Sequence, residues 1–425
     1  MHSWKRTYWA VWLSNLVTSI GMMSFLPFFP THLESMGIQG QDEISAWTGV
    51  IFGSAPLMAA FMGPIWGAVG DRFGRRLMIL RALLAITICV GAMAFATTPM
   101  ELLLLRMLQG TFSGFIAPSI TLVGVLAPPD QQGRVTGSLQ TALAAGTIVG
   151  PLLGAFLQSE LGLSSLFLCV SGAVFVSALL ILFMVPADRL AIPNAAELLP
   201  ERRAWKVSLI AAPRRFLREL HGHLESKELR YLLLMIFGVQ FAVGSTAPLM
   251  ELFVREIWDG DAELVPKLTG MLFTIIAVPD LVSMPIWGQR GDRKGHARMI
   301  RLSAVLTGFA LLAHVFVPVF AALALARFFL GFASAGVKPC AFGLLAEVTA
   351  VERRGSAVGL VLSARMLAFS TAAMLGGLLS AVIGLRALFA LNGVGLLLLV
   401  VWISAKTKTD LGEVEFEPKA EVAKP

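Results

Sequence analysis

Twelve long apolar runs, separated by short polar segments, make up most of the chain. They fall at 8–30, 45–68, 77–96, 101–126, 134–158, 164–186, 230–254, 267–288, 299–317, 320–347, 355–381 and 385–404. A helix crossing the ~30 Å hydrocarbon layer needs about 20 apolar residues, and each backbone polar group must be satisfied within its own segment. The pattern therefore predicts an all-α polytopic membrane protein with twelve transmembrane helices. Several runs are interrupted by small or helix-bending residues. Run one carries Leu26, Pro27 and Pro30 near its end, where a bend or a stop is expected.

The polar interruptions repeat. Residues 67–76 read G-A-V-G-D-R-F-G-R-R, and residues 288–298 read G-Q-R-G-D-R-K-G-H-A-R. The same offset of 221 positions (67 to 288) maps Pro64 onto Pro285, Trp66 onto Trp287, Arg106 onto Arg327, Gly110 onto Gly331 and Pro118 onto Pro339. Shared intramembrane arginines, glycines and prolines at one offset mean an internal duplication. The chain thus divides into a six-helix bundle at 1–186, a basic linker at 187–229, a second bundle at 230–404 and a charged tail at 405–425 expected to be disordered. The linker, with short surface helices expected around 214–224, either rests on anionic headgroups or simply sets topology.

Composition sharpens this picture. Hydrophobic residues are 56% of the chain and charged ones 14%, with a mean hydropathy of +0.76, outside the range of soluble domains. The net charge of +7 does not imply nucleic acid, because of where the 34 Lys and Arg lie. Only Arg255, Lys267 and Arg386 fall in loops on one side, and Arg106, Arg327, Lys338 and Arg365 lie within spans; the rest collect on the other side. The positive-inside rule then places both termini in the cytoplasm of a plasma, or bacterial inner, membrane. Cys89, Cys169 and Cys340 sit singly inside apolar runs and read as small apolar residues. The start of the chain reads as a first spanning helix and lacks a cleavage pattern. No nucleophile–base pair, metal cluster or Walker-type loop is present in the pattern, so the chain is expected to be no enzyme and to need no cofactor.

On these residues the sequence resembles the major facilitator superfamily, and within it the drug:proton antiporter branch with twelve spanning helices. Gly67, Asp71, Arg72, Gly74, Arg75 and Arg76 fit the family pattern G-x-x-x-D-R-x-G-R-R; the second copy keeps Gly288, Asp292, Arg293 and Gly295 but has His296 and Ala297 where basic residues are wanted. Arg106, Gln109 and Gly110 in helix four, and Gly146, Gly150, Pro151 and Gly154 in helix five, are further marks. The resemblance implies two bundles related by a pseudo-twofold axis, a substrate site between them, and the proton as coupling ion. It implies that Asp71 latches onto the start of helix eleven near Gly355, tethered by Arg75 with Asp130 as a second partner. It makes Arg106 part of a proton relay, against which stands a plain helix–helix anchor, and it makes the helix-five glycines and proline a mark of export.

The second half holds a constellation that stands without the family. Asp280 lies 8 residues before Gly288, Lys338 9 before Glu347 and Arg365 10 after Gly355, so all three lie about 12 to 15 Å from one face at ~1.5 Å per residue. Charges at that depth need partners, and Asp280 is expected to face Lys338 or Arg365, either as a proton-exchanging carboxylate or as a static ion pair. With no acid in helix one before Glu34, the proton carrier is Glu34, Glu251 or Asp280. The excess of intramembrane cations favours a neutral, zwitterionic or anionic substrate. Met22, Met23, Phe28, Phe29, Met250, Phe253 and Met366 are candidates for pocket lining or for packing. The expected function is export of small amphipathic compounds by a protein that works as a monomer among membrane lipids. The alternatives are a proton-coupled uptake symporter, a lipid or lysolipid flippase, and a non-transporting sensor on the same scaffold.

Overall fold

A computed structural model describes residues 4–128, 131–186, 226–349 and 354–411. Twelve helical spans cross it: α1 (Trp4–Ser35), α2 (Gln41–Phe73), α3 (Arg75–Met93), α4 (Pro99–Leu126), α5 (Gln132–Leu161), α6 (Leu163–Met184), α7 (Lys227–Ile257), α8 (Val265–Lys294), α9 (His296–Val315), α10 (Phe320–Val348), α11 (Arg354–Ile383) and α12 (Leu385–Leu411). Each predicted run coincides with one span, and no strand occurs among the described residues. Most of the linker and the end of the tail lie outside the described residues.

Three features differ from the sequence expectation. The polar segment 67–76 is not a loop: α2 stays helical through Phe73 and breaks only at Gly74, where φ is +95°. Its copy stays helical through Lys294 and breaks at Gly295, with φ +87°. Nothing before those glycines forbids a helix, and a left-handed backbone is open to glycine at no steric cost. Likewise α12 runs past residue 404 to Leu411 before the description ends. Finally, α1 bends at its prolines as expected, and three further spans are broken. α1 and α7 pass through 3₁₀ turns at Leu26–Phe28 and Ala247–Leu249, each holding a proline without an N–H. α4 breaks between Phe112 and Ile116, and α10 between Ser334 and Val337.

A break inside a membrane leaves backbone carbonyls without helical partners, and lipid offers none. Side chains supply them. Trp66 Nε1 donates to the Thr111 carbonyl (2.7 Å) and Arg81 Nη2 to that of Ser113 (3.0 Å). In the second half Trp287 Nε1 donates to the Phe332 carbonyl (2.9 Å) and Ser303 Oγ to that of Ala333 (2.5 Å). Trp66 and Trp287, and Thr111 and Phe332, stand at the duplicate offset, so the repeat extends to individual hydrogen bonds. Gly110 presses on the backbone of Ala55 as Gly331 does on that of Ile276, again at that offset. The second segment of α10 starts at the same offset but ends one residue later, Val337–Val348 having 12 residues where Ile116–Leu126 has 11, so beyond it the register is one residue longer. Accordingly Gly154 abuts Ser24 and Gly376 abuts Ser245.

Within the first half α1 lies along α5 and α6, α3 along α6 and α2 along α4; within the second, α7 lies along α11, α9 along α12 and α8 along α10. The halves meet along two seams, α2 with α11 and α5 with α8. The side bearing the Gly74 and Gly295 turns is called the basic side. Both seams are closed toward the opposite side. There Ser370 Oγ donates to the Gly53 carbonyl (2.6 Å), Phe52 and Phe369 have ring centroids 5.7 Å apart, and Thr274 Oγ1 donates to the Ile148 carbonyl (2.8 Å). Gly49 and Gly270 let the backbones touch where no hydrophobic force draws helices together in lipid. Toward the basic side the same helices part. A Cβ at Gly63 or Gly67 of α2, at Gly133 or Gly137 of α5, or at Gly359 of α11 would meet nothing within 4 Å. The result is a cleft between the halves, open on the basic side.

Candidate functional site

The closure opposite the basic side is built by the 3₁₀ breaks of α1 and α7. Each leads into a short helix, Phe29–Ser35 and Met250–Ile257, and the two turns lie against each other at the closed end of the cleft. Glu251, with none of its surface exposed, sits where the halves meet. Thr31 of the other half donates to it through both Oγ1 and its backbone N (3.4 Å), and Arg255 Nη2 donates to it at 2.8 Å. The same Nη2 reaches Thr31 Oγ1 (3.0 Å), and Arg255 Nη1 pairs with Glu34. Glu34 and Arg255 are duplicate positions carrying opposite charge, so they meet across the pseudo-twofold axis. A buried carboxylate is tolerated only when paired and hydrogen-bonded. Here its partners span both halves, which ties the closure to the charge of Glu251.

The second cluster lies at mid-depth. Lys338 Nζ donates to Asp280 Oδ2 at 2.7 Å, with 33% and 23% of the two side chains exposed. Arg365 of α11 lies within electrostatic range of the same carboxylate. Lys338 occupies the first turn of the α10 segment after the break, and Asp280 follows Pro279 inside α8. Charged groups partly exposed at this depth face water rather than lipid.

The two buried arginines differ. Arg106 reaches the carbonyls of Ile51 and Phe52 on α2 (3.4 Å each) and Gln109 Oε1 (2.7 Å), and Gln109 Nε2 points on to Met22 Sδ (3.1 Å). No carboxylate contacts it among the described residues. Arg327 is equally buried, yet its Nε and Nη2 have no hydrogen-bond partner among the described residues. The helix-five residues form the crossing of three helices: Gly146, Gly150 and Gly154 lie against α1, and the Pro151 carbonyl lies against Gly270 of α8. A Cβ on Gly150 would come within 2.7 Å of the Ile20 carbonyl oxygen.

On the basic side, Gly67 and Gly74 are placed as above. The side chains of Asp71 and Arg72, together with Asp130 and the residues before α11, lie outside the description, as do those of residues 354–356. Arg76 Nη2 donates to the Leu182 carbonyl (2.5 Å), and Arg75 is engaged as well. In the second copy Arg293 is exposed, while His296, standing where the first half has Arg75, bridges Asp292 (3.2 Å) and Glu347 (2.8 Å). Sequence reasoning missed Thr31, Arg255 and this histidine bridge. The aromatic and methionine candidates also sort differently. Phe28, Phe29, Met250 and Phe253 are buried in the closure, whereas Met22 and Met23 are half-buried and Met366 is exposed.

The chain matches the family model described as Major Facilitator Superfamily over residues 11–257 and 232–424. It is 30% identical over 390 residues to multidrug resistance protein MdtG of Salmonella typhimurium, covering 92% of each chain. Among solved structures it resembles a bacterial homologue of the human lysosomal transporter Spinster in an inward-facing and occupied conformation, with TM-score 0.74, 13% identity, and 95% of this chain and 97% of that one covered. It also resembles the human organic anion transporter MFSD10, with TM-score 0.66, 19% identity, and 95% and 100% covered. With its twelve spans, duplicated polar turns and paired seams, the chain belongs to the Major Facilitator Superfamily of transporters.

Proposed function

We propose that this transporter exports small amphipathic compounds by proton antiport, alternating between a cleft open on the basic, cytoplasmic side and one open to the exterior. The helix-five crossing and the likeness to a multidrug resistance protein support export. The observation that carries the coupling is Glu251, fully buried at the closed end and held from both halves. When the outer end opens, Thr31 is withdrawn, the carboxylate meets water, and it takes a proton from outside. Closure returns the carboxyl group to its Thr31 and Arg255 partners, and the proton it carried is passed through the cleft to the cytoplasm. The proton thus moves inward while substrate moves outward, with no cofactor. Arg106, held by backbone carbonyls, serves as an α2–α4 anchor in this scheme, and the Gly67–Arg76 turn serves to latch the cytoplasmic ends in the outward-open form.

The test is proton movement in reconstituted vesicles with an imposed pH gradient and a panel of amphiphiles. Wild type should dissipate the gradient on addition of a transported compound, and Glu251→Gln should abolish that response by at least tenfold while compound binding persists. Unchanged proton flux in Glu251→Gln would remove Glu251 from the coupling. Compound flux without proton flux in the wild type would remove antiport altogether.

A further inference from the structure

The cleft carries an unbalanced charge. At mid-depth the second half contributes two cations, Lys338 and Arg365, and one carboxylate, Asp280. The corresponding positions in the first half are Ala59 and Ala117 at the 221 offset, and Leu143 at the 222 offset set by the Gly154–Ser24 and Gly376–Ser245 contacts. The opposite wall therefore supplies no compensating charge at these positions. Asp280 is committed to Lys338 at 2.7 Å. Arg365 forms no hydrogen bond or ion pair among the described residues, although a guanidinium offers five donors.

Arg365 also faces the right way. Phe369 and Ser370, on the next turn of α11, make the contacts to Phe52 and Gly53 that close the seam. Residues four apart share a helix face, so Arg365 lies on the seam face of α11, one turn below the point where the halves part. Lys338 approaches from α10, in the first turn of the Val337–Val348 segment, where the helix dipole is positive.

We infer that Lys338 and Arg365 form the polar end of the substrate site and that it takes a compound bearing a single carboxylate-type oxyanion. This rests on reading the cleft as the substrate path. Arg365 offers a bidentate fork to the oxyanion, Lys338 adds a point charge, and Asp280 competes with the ligand for Lys338. The competition has a consequence for coupling. A proton on Asp280 would strengthen anion binding, so Asp280 would carry proton and anion in the same direction. Antiport of such a substrate requires a carboxylate elsewhere, which is the position of Glu251.

The experiment is equilibrium binding to the full chain in phosphatidylcholine nanodiscs, without a pH gradient, against empty discs. The probes share one ring system and differ in charge: naphthaleneacetate, naphthaleneacetamide and naphthylmethyl-trimethylammonium. The anion should bind at least tenfold more tightly than the amide or the cation. Lys338→Gln and Arg365→Gln should each weaken it about tenfold, Arg365→Lys should recover only part of the affinity lost in Arg365→Gln because it keeps the charge without the fork, and Asp280→Asn should raise it severalfold. Thermal unfolding of each variant shows that it is folded. Preference for the cation, unchanged anion affinity in folded Arg365→Gln, or weakened affinity in folded Asp280→Asn would overturn the inference. Because no proton gradient is used, anion binding that persists in a protein without proton flux would count against antiport and leave the anion site standing.

Discussion

The two halves share a skeleton and divide the chemistry between them. Gly110 and Gly331 press on α2 and α8 at matching points, Trp66 and Trp287 close the breaks of α4 and α10 with the same hydrogen bond, and Pro27 and Pro248 sit in matching 3₁₀ turns. Yet Asp280, Lys338 and Arg365 stand where the first half has Ala59, Ala117 and Leu143, Glu251 replaces Pro30, and His296 replaces Arg75. What is duplicated is what the bilayer demands of any broken, closely packed helix, namely small residues at crossings and partners for stranded carbonyls. What differs is charge at mid-depth and at the closure, where a symmetric arrangement would set like charges against each other across the axis. The Glu34–Arg255 pair shows this directly: duplicate positions that meet at the axis can attract only if one of them has changed sign.

The comparison breaks most easily at the skeleton. Gly110→Val and Gly331→Val should each cost about 3 kcal/mol or more, because backbone atoms of Ala55 and Ile276 occupy the space and cannot give way as a side chain would. Stability in detergent, read as thermal unfolding with size-exclusion recovery, checks both. If one variant survives intact while the other collapses, the shared skeleton is mechanically unequal and the duplication is only a likeness of sequence.

That skeleton was largely legible in the sequence because glycines, prolines and arginines inside apolar runs are costly to place and so mark fixed positions. The Asp280–Lys338 pairing was legible for a related reason: a mid-membrane charge must find a partner, and depth can be counted along a helix. The breaks of α4 and α10 were not legible, since they depend on Trp66 and Trp287 reaching across from neighbouring helices. Nor was the grouping of Glu34, Thr31, Glu251 and Arg255. Thr31 looks like an ordinary helix-end residue and Arg255 like a loop charge, and only the closure of one half on the other brings them together. The 222 register of the last helices was hidden as well, because a one-residue insertion leaves hydrophobic periodicity almost unchanged.

The comparison is sharpened by the two buried arginines. Arg106→Met should destabilise by about 1–2 kcal/mol, since it strands Gln109 and removes the α2 carbonyl contacts. Arg327→Met should be neutral or stabilising, because Nε and Nη2 are buried without partners and an apolar residue of similar length removes that cost. The second half has Leu330 where Gln109 stands in the first, so the supporting amide is missing by sequence. Thermal unfolding of the two variants side by side decides the matter. Equal losses would mean that Arg327 is held by something other than the described side chains.

The smallest expected effect concerns the indoles. Trp287→Phe replaces the indole with the smaller phenyl ring, deleting the N–H and stranding the Phe332 carbonyl at a position where the indole is 1% exposed. The lost hydrogen bond should cost about 1 kcal/mol, in addition to the space the smaller ring leaves. Trp66 is half-buried and beside Arg81, whose guanidinium carbon lies 3.7 Å from the ring centroid and whose Nη2 already serves the Ser113 carbonyl of the same break. Trp66→Phe should therefore cost less, since water or the neighbouring guanidinium can reach the freed Thr111 carbonyl. The double variant should be additive within about 0.5 kcal/mol, because the two breaks lie in different halves and share no partner. A coupling well beyond that would mean that the breaks move together, which would make them hinges of a single motion rather than two copies of one local device.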